Sequence, residues 1–283
     1  CPAILHGDRD HLLGYHADEH PLALQLGGDD PSALARAAAL AAELGYDELD
    51  LNCGCPSPRV RAGSFGVVLM ADPERVAACV EAMRAAAPLP VTVKHRLGFD
   101  QLDRYEDVAR FVERVAAAGA DRLVVHARKA VLGGVSPGWN RRVPPLRPAW
   151  VHRLKAEHPA VRIELNGGIG SLREAFEHLD AGLDGVMVGR AAYDDPMIFA
   201  DADAWLDARE RGEPPPAVRS IGASERIAVL QSLVPFASAW VQAGGRLHHA
   251  VRPMLGLVHG MPGARRFREA VVVGARASGA TAE

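Results

Sequence analysis

Asp50-Leu51-Asn52-Cys53-Gly54-Cys55-Pro56 decides how the rest of the chain is read. From Asp47 to Asn52 apolar and polar residues alternate, with Leu49 and Leu51 on one face, the period of a β-strand. The strand breaks at Gly-Cys-Pro. Glycine permits an unusual backbone there, and proline removes a donor and fixes the exit direction. Cys55 is thereby set on a stiff turn just past the C-terminal end of a strand, where reactive side chains of an α/β barrel gather. A buried structural thiol is the ordinary alternative, and these residues alone leave both open.

Composition narrows the field. A chain of 283 residues suits one large α/β domain, or a barrel with a small appendage. With 48% hydrophobic residues it builds a sizeable core, which excludes general disorder. The net charge of −3 means that a polyanionic partner requires a local basic patch. Cys1, Cys53, Cys55 and Cys79 form no C-x-x-C pair, which favours a reducing cytoplasm. No signal peptide or membrane-length apolar run is visible. His6, His11, His16 and His20 lack ligand spacing with cysteine or carboxylate, so they are read as solvated and no metal is expected.

Strand patterns over 21–26, 47–52, 91–94, 122–126, 161–166 and 185–188 alternate with helix patterns. Asp30-Pro31 and Asp72-Pro73 are N-caps followed by proline at the first helical position. Leu34, Ala37, Ala41 and Leu44 form an apolar stripe on the first of these helices, and Val76, Val80 and Met83 on the second. Helices follow over 105–118 and 150–157, and Ser171 to Glu174 is a capping box opening another. Such alternation implies a parallel sheet. Each strand ends in a polar residue or glycine: Gln25, Asn52, Lys94, His126, Asn166 and Gly189. One residue from every strand is the habit of a (β/α)8 TIM barrel, whereas a doubly wound sheet loads one or two switch-point loops. Six strands do not close an eight-stranded barrel, and the start at Cys1 instead of methionine favours two strands lying before it.

The last two strand ends suggest a phosphate grip. Asn166-Gly167-Gly168 precedes a helix and Gly189-Arg190 follows the last strand, so backbone amides and one arginine are available to an anion. Lys94, at a strand end, suits the N1–C2=O edge of a reduced flavin. His126 suits a phosphate or an acid role. For both, a salt-bridged rim residue is the plain alternative.

Leu51-Asn52-Cys53-Gly54-Cys55-Pro56 with Val60 and Gly66, Val93-Lys94-His95-Arg96, Val125-His126-Ala127-Arg128-Lys129-Ala130, Asn166-Gly167-Gly168-Ile169 and Gly189-Arg190 together resemble the tRNA-dihydrouridine synthases. Ser136-Pro137 with Asn140-Arg141, Pro144-Pro145-Leu146 and Pro262-Gly263-Ala264-Arg265 are similar to the A subfamily. The resemblance spans nearly the whole chain. It implies an FMN-binding barrel followed by a small helical domain, with NADPH as reductant and uridines 20 and 20a of the tRNA D-loop as targets. By motif position Cys55 is the acid that protonates C5 of the base. Gln25, Lys94, His126, Asn166, Gly167, Gly168, Gly189 and Arg190 would hold FMN. Asn52, Arg128, Lys129, Arg141, Arg265 and Arg268 would meet tRNA.

The domains expected are a barrel over 1–205, a linker over 206–222 around Pro214-Pro215-Pro216, and a helical tRNA-binding domain over 223–283. There Ile227, Leu230, Leu233 and Val234 form one stripe, and Arg246, His248, His249, Arg252, Arg265, Arg266 and Arg268 a basic cluster. A cytoplasmic monomer with no metal and no membrane contact is expected. Two other readings are an FMN-dependent dehydrogenase of a free pyrimidine and a tRNA-binding module whose chemistry has lapsed.

Overall fold

The computed structural model describes residues 2–8, 12–277 and 279–281, so Cys1 and His11 lie outside the described residues. Two compact units divide the chain. The first comprises 1–168 and 176–187, and the second 169–175 and 188–283.

The first unit is an α/β sheet of the TIM-barrel kind. Its strands are β1 (Ala23–Leu26), β2 (Glu48–Cys53), β3 (Val91–Arg96), β4 (Arg122–His126), β5 (Ile163–Asn166) and β6 (Gly185–Met187). Every pairing is parallel and the spatial order is the sequence order, β1 to β6. An order without reversal has no topological switch point, which rules out the doubly wound alternative and is how a barrel wall is laid down. Among the described residues β1 and β6 each pair with one neighbour.

The helices form where the caps require. Asp30 accepts from the Ser32 amide and starts α1 (Pro31–Glu43); Asp72 accepts from Arg75 and starts α2 (Pro73–Ala86). α3 (Tyr105–Ala117), α4 (Pro148–Glu157) and α5 (Leu172–Asp180) follow. Gly45 and Gly119 end α1 and α3 with φ of +84° and +91°, the left-handed conformation that favours glycine. Leu34, Ala37 and Ala41 are buried as expected, but Leu44 caps the helix and is 38% exposed.

Period-two alternation sorts each strand. Leu49, Leu51 and Cys53 of β2, Val91, Val93 and His95 of β3, and Leu123 and Val125 of β4 are all fully buried. The other face carries Glu48, Asp50 and Asn52; Thr92, Lys94 and Arg96; Arg122 and His126; Glu164 and Asn166. Polar side chains thus fill most of this face over β2 to β5, with Val124 the apolar exception between Lys94 and Glu164.

The second unit is helical, and its main segment starts at Val188, ahead of the linker expected at 206 and the helical domain expected at 223. Asp195 accepts two hydrogen bonds from Arg226, at 2.7 and 2.9 Å, and the glycine at 256 lets the chain approach the Tyr193 carbonyl. The expected linker also starts late. Residues 206–210 belong to α6 (Ala202–Glu210), which buries Trp205 and Ala208. After it, Arg219 anchors the coil to Asp201 at 2.5 Å. α7 (Ala223–Ser232), α8 (Val234–Gln242), α9 (Leu247–Met254) and α10 (Ala264–Gly274) complete the unit. The stripe on α7 is not core: Ile227 is 43% exposed and Val234, at the start of α8, is 36% exposed. The buried cluster is Ala237, Leu247, Ala250 and Ala275. No helix among the described residues is long and apolar enough to cross a membrane.

Leu51 is fully buried on the apolar face of β2, directly before Asn52. Leu51→Ala is expected to lower the free energy of unfolding by about 2–5 kcal/mol, read from urea denaturation.

Candidate active site

Cys55 sits three residues past Asn52 on a turn held from three sides. The Asn52 Oδ1 accepts from the amides of Gly54 and Cys55, both at 3.0 Å, closing an Asx turn. Arg96 Nε donates to the Gly54 carbonyl at 2.8 Å, and the Val67 amide donates to the Cys55 carbonyl at 3.1 Å. Gly66, with φ of +75°, makes the last contact possible, since a Cβ there would lie 2.6 Å from the Cys55 carbonyl oxygen. Cys55 is half-buried, while Cys53 and Cys79 are buried thiols whose ionisation burial pushes up, that of Cys79 to about 11. Of the described cysteines, Cys55 alone is not buried.

Around it stand the strand ends. Asn52 pairs in register with Lys94, and His126 with Asn166. Asn52 Nδ2 donates to Gln25 Oε1 at 3.0 Å. Lys94 Nζ donates to Asn166 Oδ1 at 2.9 Å, and Asn166 Nδ2 donates to the Met187 carbonyl at 2.7 Å. Burial pulls the Lys94 ammonium down to about 8, against the raising pull of Asp50. Among the described residues no carboxylate lies within ion-pair distance of Lys94, whose hydrogen bond goes to the neutral Asn166 amide. Gly167 and Gly168 turn at φ of +104° and +86°; a Cβ on either would meet His126 at 2.6 Å or Leu146 at 2.5 Å. Glycine is thus required here by the close packing of His126 and Leu146 on the turn, while the buried cation at Lys94 fits the electron-rich edge of a flavin.

The remaining expected residues are placed less uniformly. Gly189 and Arg190 belong to the second unit, where Gly189 precedes the short helix Arg190–Asp194. Arg128 is 9% exposed and its guanidinium donates to the Pro144 carbonyl, so it braces the loop after β4 instead of facing solvent. Lys129 is tied to Asp103 at 2.6 Å. Arg141 is exposed at the end of a short helix, Pro137–Asn140. Arg265 and Arg268 are exposed on α10, with Arg265 pairing to Glu269 at 3.0 Å. His20, expected to be solvated, contacts Asp47 at 2.6 Å.

The polar face holds residues that sequence reading missed. Asp50 is 6% exposed and accepts from Gln25 and Thr92. Burial raises its carboxyl to about 6, against the lowering pull of those two bonds and of Lys94. Arg122 joins Glu48 at 2.6 Å to Glu164 at 3.1 Å. Arg96 is 4% exposed and also donates to the carbonyls of Lys129 and Asn140. The signal was present: Glu48-x-Asp50-x-Asn52 and Thr92-x-Lys94-x-Arg96 repeat polar residues at one parity inside apolar strands.

The sequence profile described as dihydrouridine synthase matches residues 2–282. The chain belongs to the dihydrouridine synthase family. The family is one of flavin-dependent oxidoreductases, in keeping with the buried cation at Lys94. A tRNA-dihydrouridine(20/20a) synthase of Xanthomonas axonopodis pv. citri is 51% identical over 278 residues, covering 98% of this chain and 79% of that protein. The synthase of that name from Shewanella oneidensis is 50% identical over 281 residues, covering 99% and 80%. That of Synechocystis sp. is 47% identical over 266 residues, covering 94% and 76%.

Lys94 gives a pH test. Its folded value of about 8 lies below the ordinary 10.5, so the penalty of burying the ammonium is full below pH 8. The penalty fades as pH rises toward 10.5, where the unfolded chain also loses its proton. Lys94→Met is therefore expected to stabilise the ligand-free chain by up to about 3 kcal/mol at pH 7, with the gain shrinking by pH 10. Urea unfolding at the two pH values checks both the sign and the trend.

Proposed function

We propose that this chain reduces uridine to 5,6-dihydrouridine in the tRNA D-loop, in the cytoplasm, using FMN and NADPH. Positions 20 and 20a are the targets, as in the names of the relatives. The observation that carries the reading is the Cys55 turn, fixed at its two flanking peptides beside the row Gln25, Asn52, Lys94, His126 and Asn166. When bound and reduced by NADPH, FMN would supply the hydride that C6 of the uracil takes up. Lys94, held in place by its hydrogen bond to Asn166, would face the electron-rich edge of the flavin. Gln25 and His126 would flank it, and the Gly167–Gly168 turn would receive the phosphate. The Cys55 thiol gives its proton to C5 and regains one from solvent. The base must leave its stack to reach this site. Asn52 lies beside it, and Arg141, Arg265 and Arg268 take phosphates, with Lys129 at the rim. Arg128, buried as it is, shapes the loop that carries Lys129 and Arg141.

Cys55→Ala is expected to keep FMN, seen as flavin absorbance bleached by NADPH, while dihydrouridine formation in tRNA falls by about 10²- to 10⁴-fold. Unchanged turnover would remove Cys55 from the role. Arg265→Ala with Arg268→Ala is expected to weaken tRNA binding uniformly and to lower the slope of log K against log salt by about 2, with FMN content unaltered. A slope equal to that of the parent would take α10 out of the RNA contact.

A further inference from the structure

A chain of hydrogen bonds with a fixed direction runs from the polar face of the sheet to the turn that carries Cys55. It begins at Asp50, where Thr92 Oγ1 donates to Oδ1 at 3.0 Å and Gln25 Nε2 donates to Oδ2 at 2.6 Å. The Gln25 Oε1 then accepts from Asn52 Nδ2 at 3.0 Å, which leaves Asn52 Oδ1 to accept from the Gly54 and Cys55 amides. The two amide side chains are each able to sit either way round, since oxygen and nitrogen are nearly equal in size. A carboxylate is different, because it only accepts. Its presence at the head of the chain requires that Gln25 turn its nitrogen inward, the same direction that the Gly54 and Cys55 amides require from the other end. Gln25 then offers its oxygen to Asn52, and Asn52 offers its oxygen to the loop. Reversal would set the Asn52 NH₂ against two backbone N–H groups, donor against donor.

We propose that Asp50 is a positioning residue whose carboxylate sets the orientation of Gln25 and Asn52 and thereby holds the Cys55 turn in its reactive form. Asp50 does not touch the Cys55 turn; it acts through Gln25 and Asn52. The inference rests on Cys55 being the acid of the reaction as far as turnover is concerned, but the holding of the turn is separable from it. Burial works against the charged form of Asp50, whose carboxyl is raised to about 6. A residue kept there only for stability has no reason to carry that burden, since asparagine fills the same space uncharged.

The test uses the full chain with its flavin and reads iodoacetamide labelling at Cys55 by mass spectrometry, alongside Tm and steady-state tRNA reduction. Asp50→Asn offers both an oxygen and an NH₂, so it no longer dictates which end of Gln25 faces it. Labelling is expected to rise about tenfold, the scale of one or two lost hydrogen bonds. The kcat should fall by a similar factor with KM for tRNA unchanged, and Tm should be equal or higher. Gln25→Glu alone sets carboxylate against carboxylate and should loosen the turn further. Combined with Asp50→Asn it restores the direction. The carboxylate then stands at position 25, where it accepts from the new amide at position 50 and from Asn52 Nδ2, so the Asn52 oxygen is again left for the loop. Labelling in the double variant is therefore expected to return to within about twofold of the parent. Parental labelling in Asp50→Asn, or a double variant no better than its worse single, would overturn the proposal. Should Cys55→Ala leave tRNA reduction intact, the acid assignment fails while the labelling series still decides the role of Asp50.

Discussion

The alternation of β2 is the constraint on which the rest depends. Leu49, Leu51 and Cys53 are fully buried on one face, and Asp50 and Asn52 are held on the other. A slip of one residue would exchange the two sets, placing a carboxylate against the helices and leucines on the polar face. The parallel register with β3 then fixes Asn52 opposite Lys94, and the chain turns at Gly54 with no freedom left to relocate Cys55. Hydrophobic burial on one face therefore sets the chemistry on the other.

The polar face is expensive in the ordinary sense of protein energetics. Arg122 between Glu48 and Glu164, and Asp50 near Lys94, are charges taken largely out of water, and such pairs are weak evidence for stability. Their value is positional. Arg96 ties Gly54, Lys129 and Asn140 together, so the loops after β2 and β4 share one rigid donor. Lys94 and Asn166 do the same for the ends of β3 and β5. The ends of the strands are cross-linked by side chains and are not left as free loops.

The helical unit is built on another principle. Its apolar cluster is small, and single polar anchors such as Arg226–Asp195 and Arg219–Asp201 fix its segments. Its surface mixes exposed apolar residues such as Ile227 and Phe236 with the arginines Arg265, Arg266 and Arg268 on α10. A chain of net charge −3 concentrates positive charge there, as recognition of a polyanion requires.

Local signals in the sequence determined the strands and helices, the caps at Asp30 and Asp72, the glycine stops, and the strand-end row that includes Gln25, Asn52, Lys94, His126 and Asn166. Each of these is written within a few residues: period two, period 3.6, Asp-Pro, or a polar residue closing an apolar run. The family was legible for the same reason, since its motifs are contiguous. Only the tertiary structure decided that Arg128 is a brace, that α6 takes in residues 206–210, and that Ile227 faces outward. It alone showed that Asp50 reaches the Cys55 turn through Gln25, a residue 25 positions away. Those outcomes depend on which side chains from distant strands meet across one face, and the direction of a hydrogen bond is set by the partner that the fold brings to it.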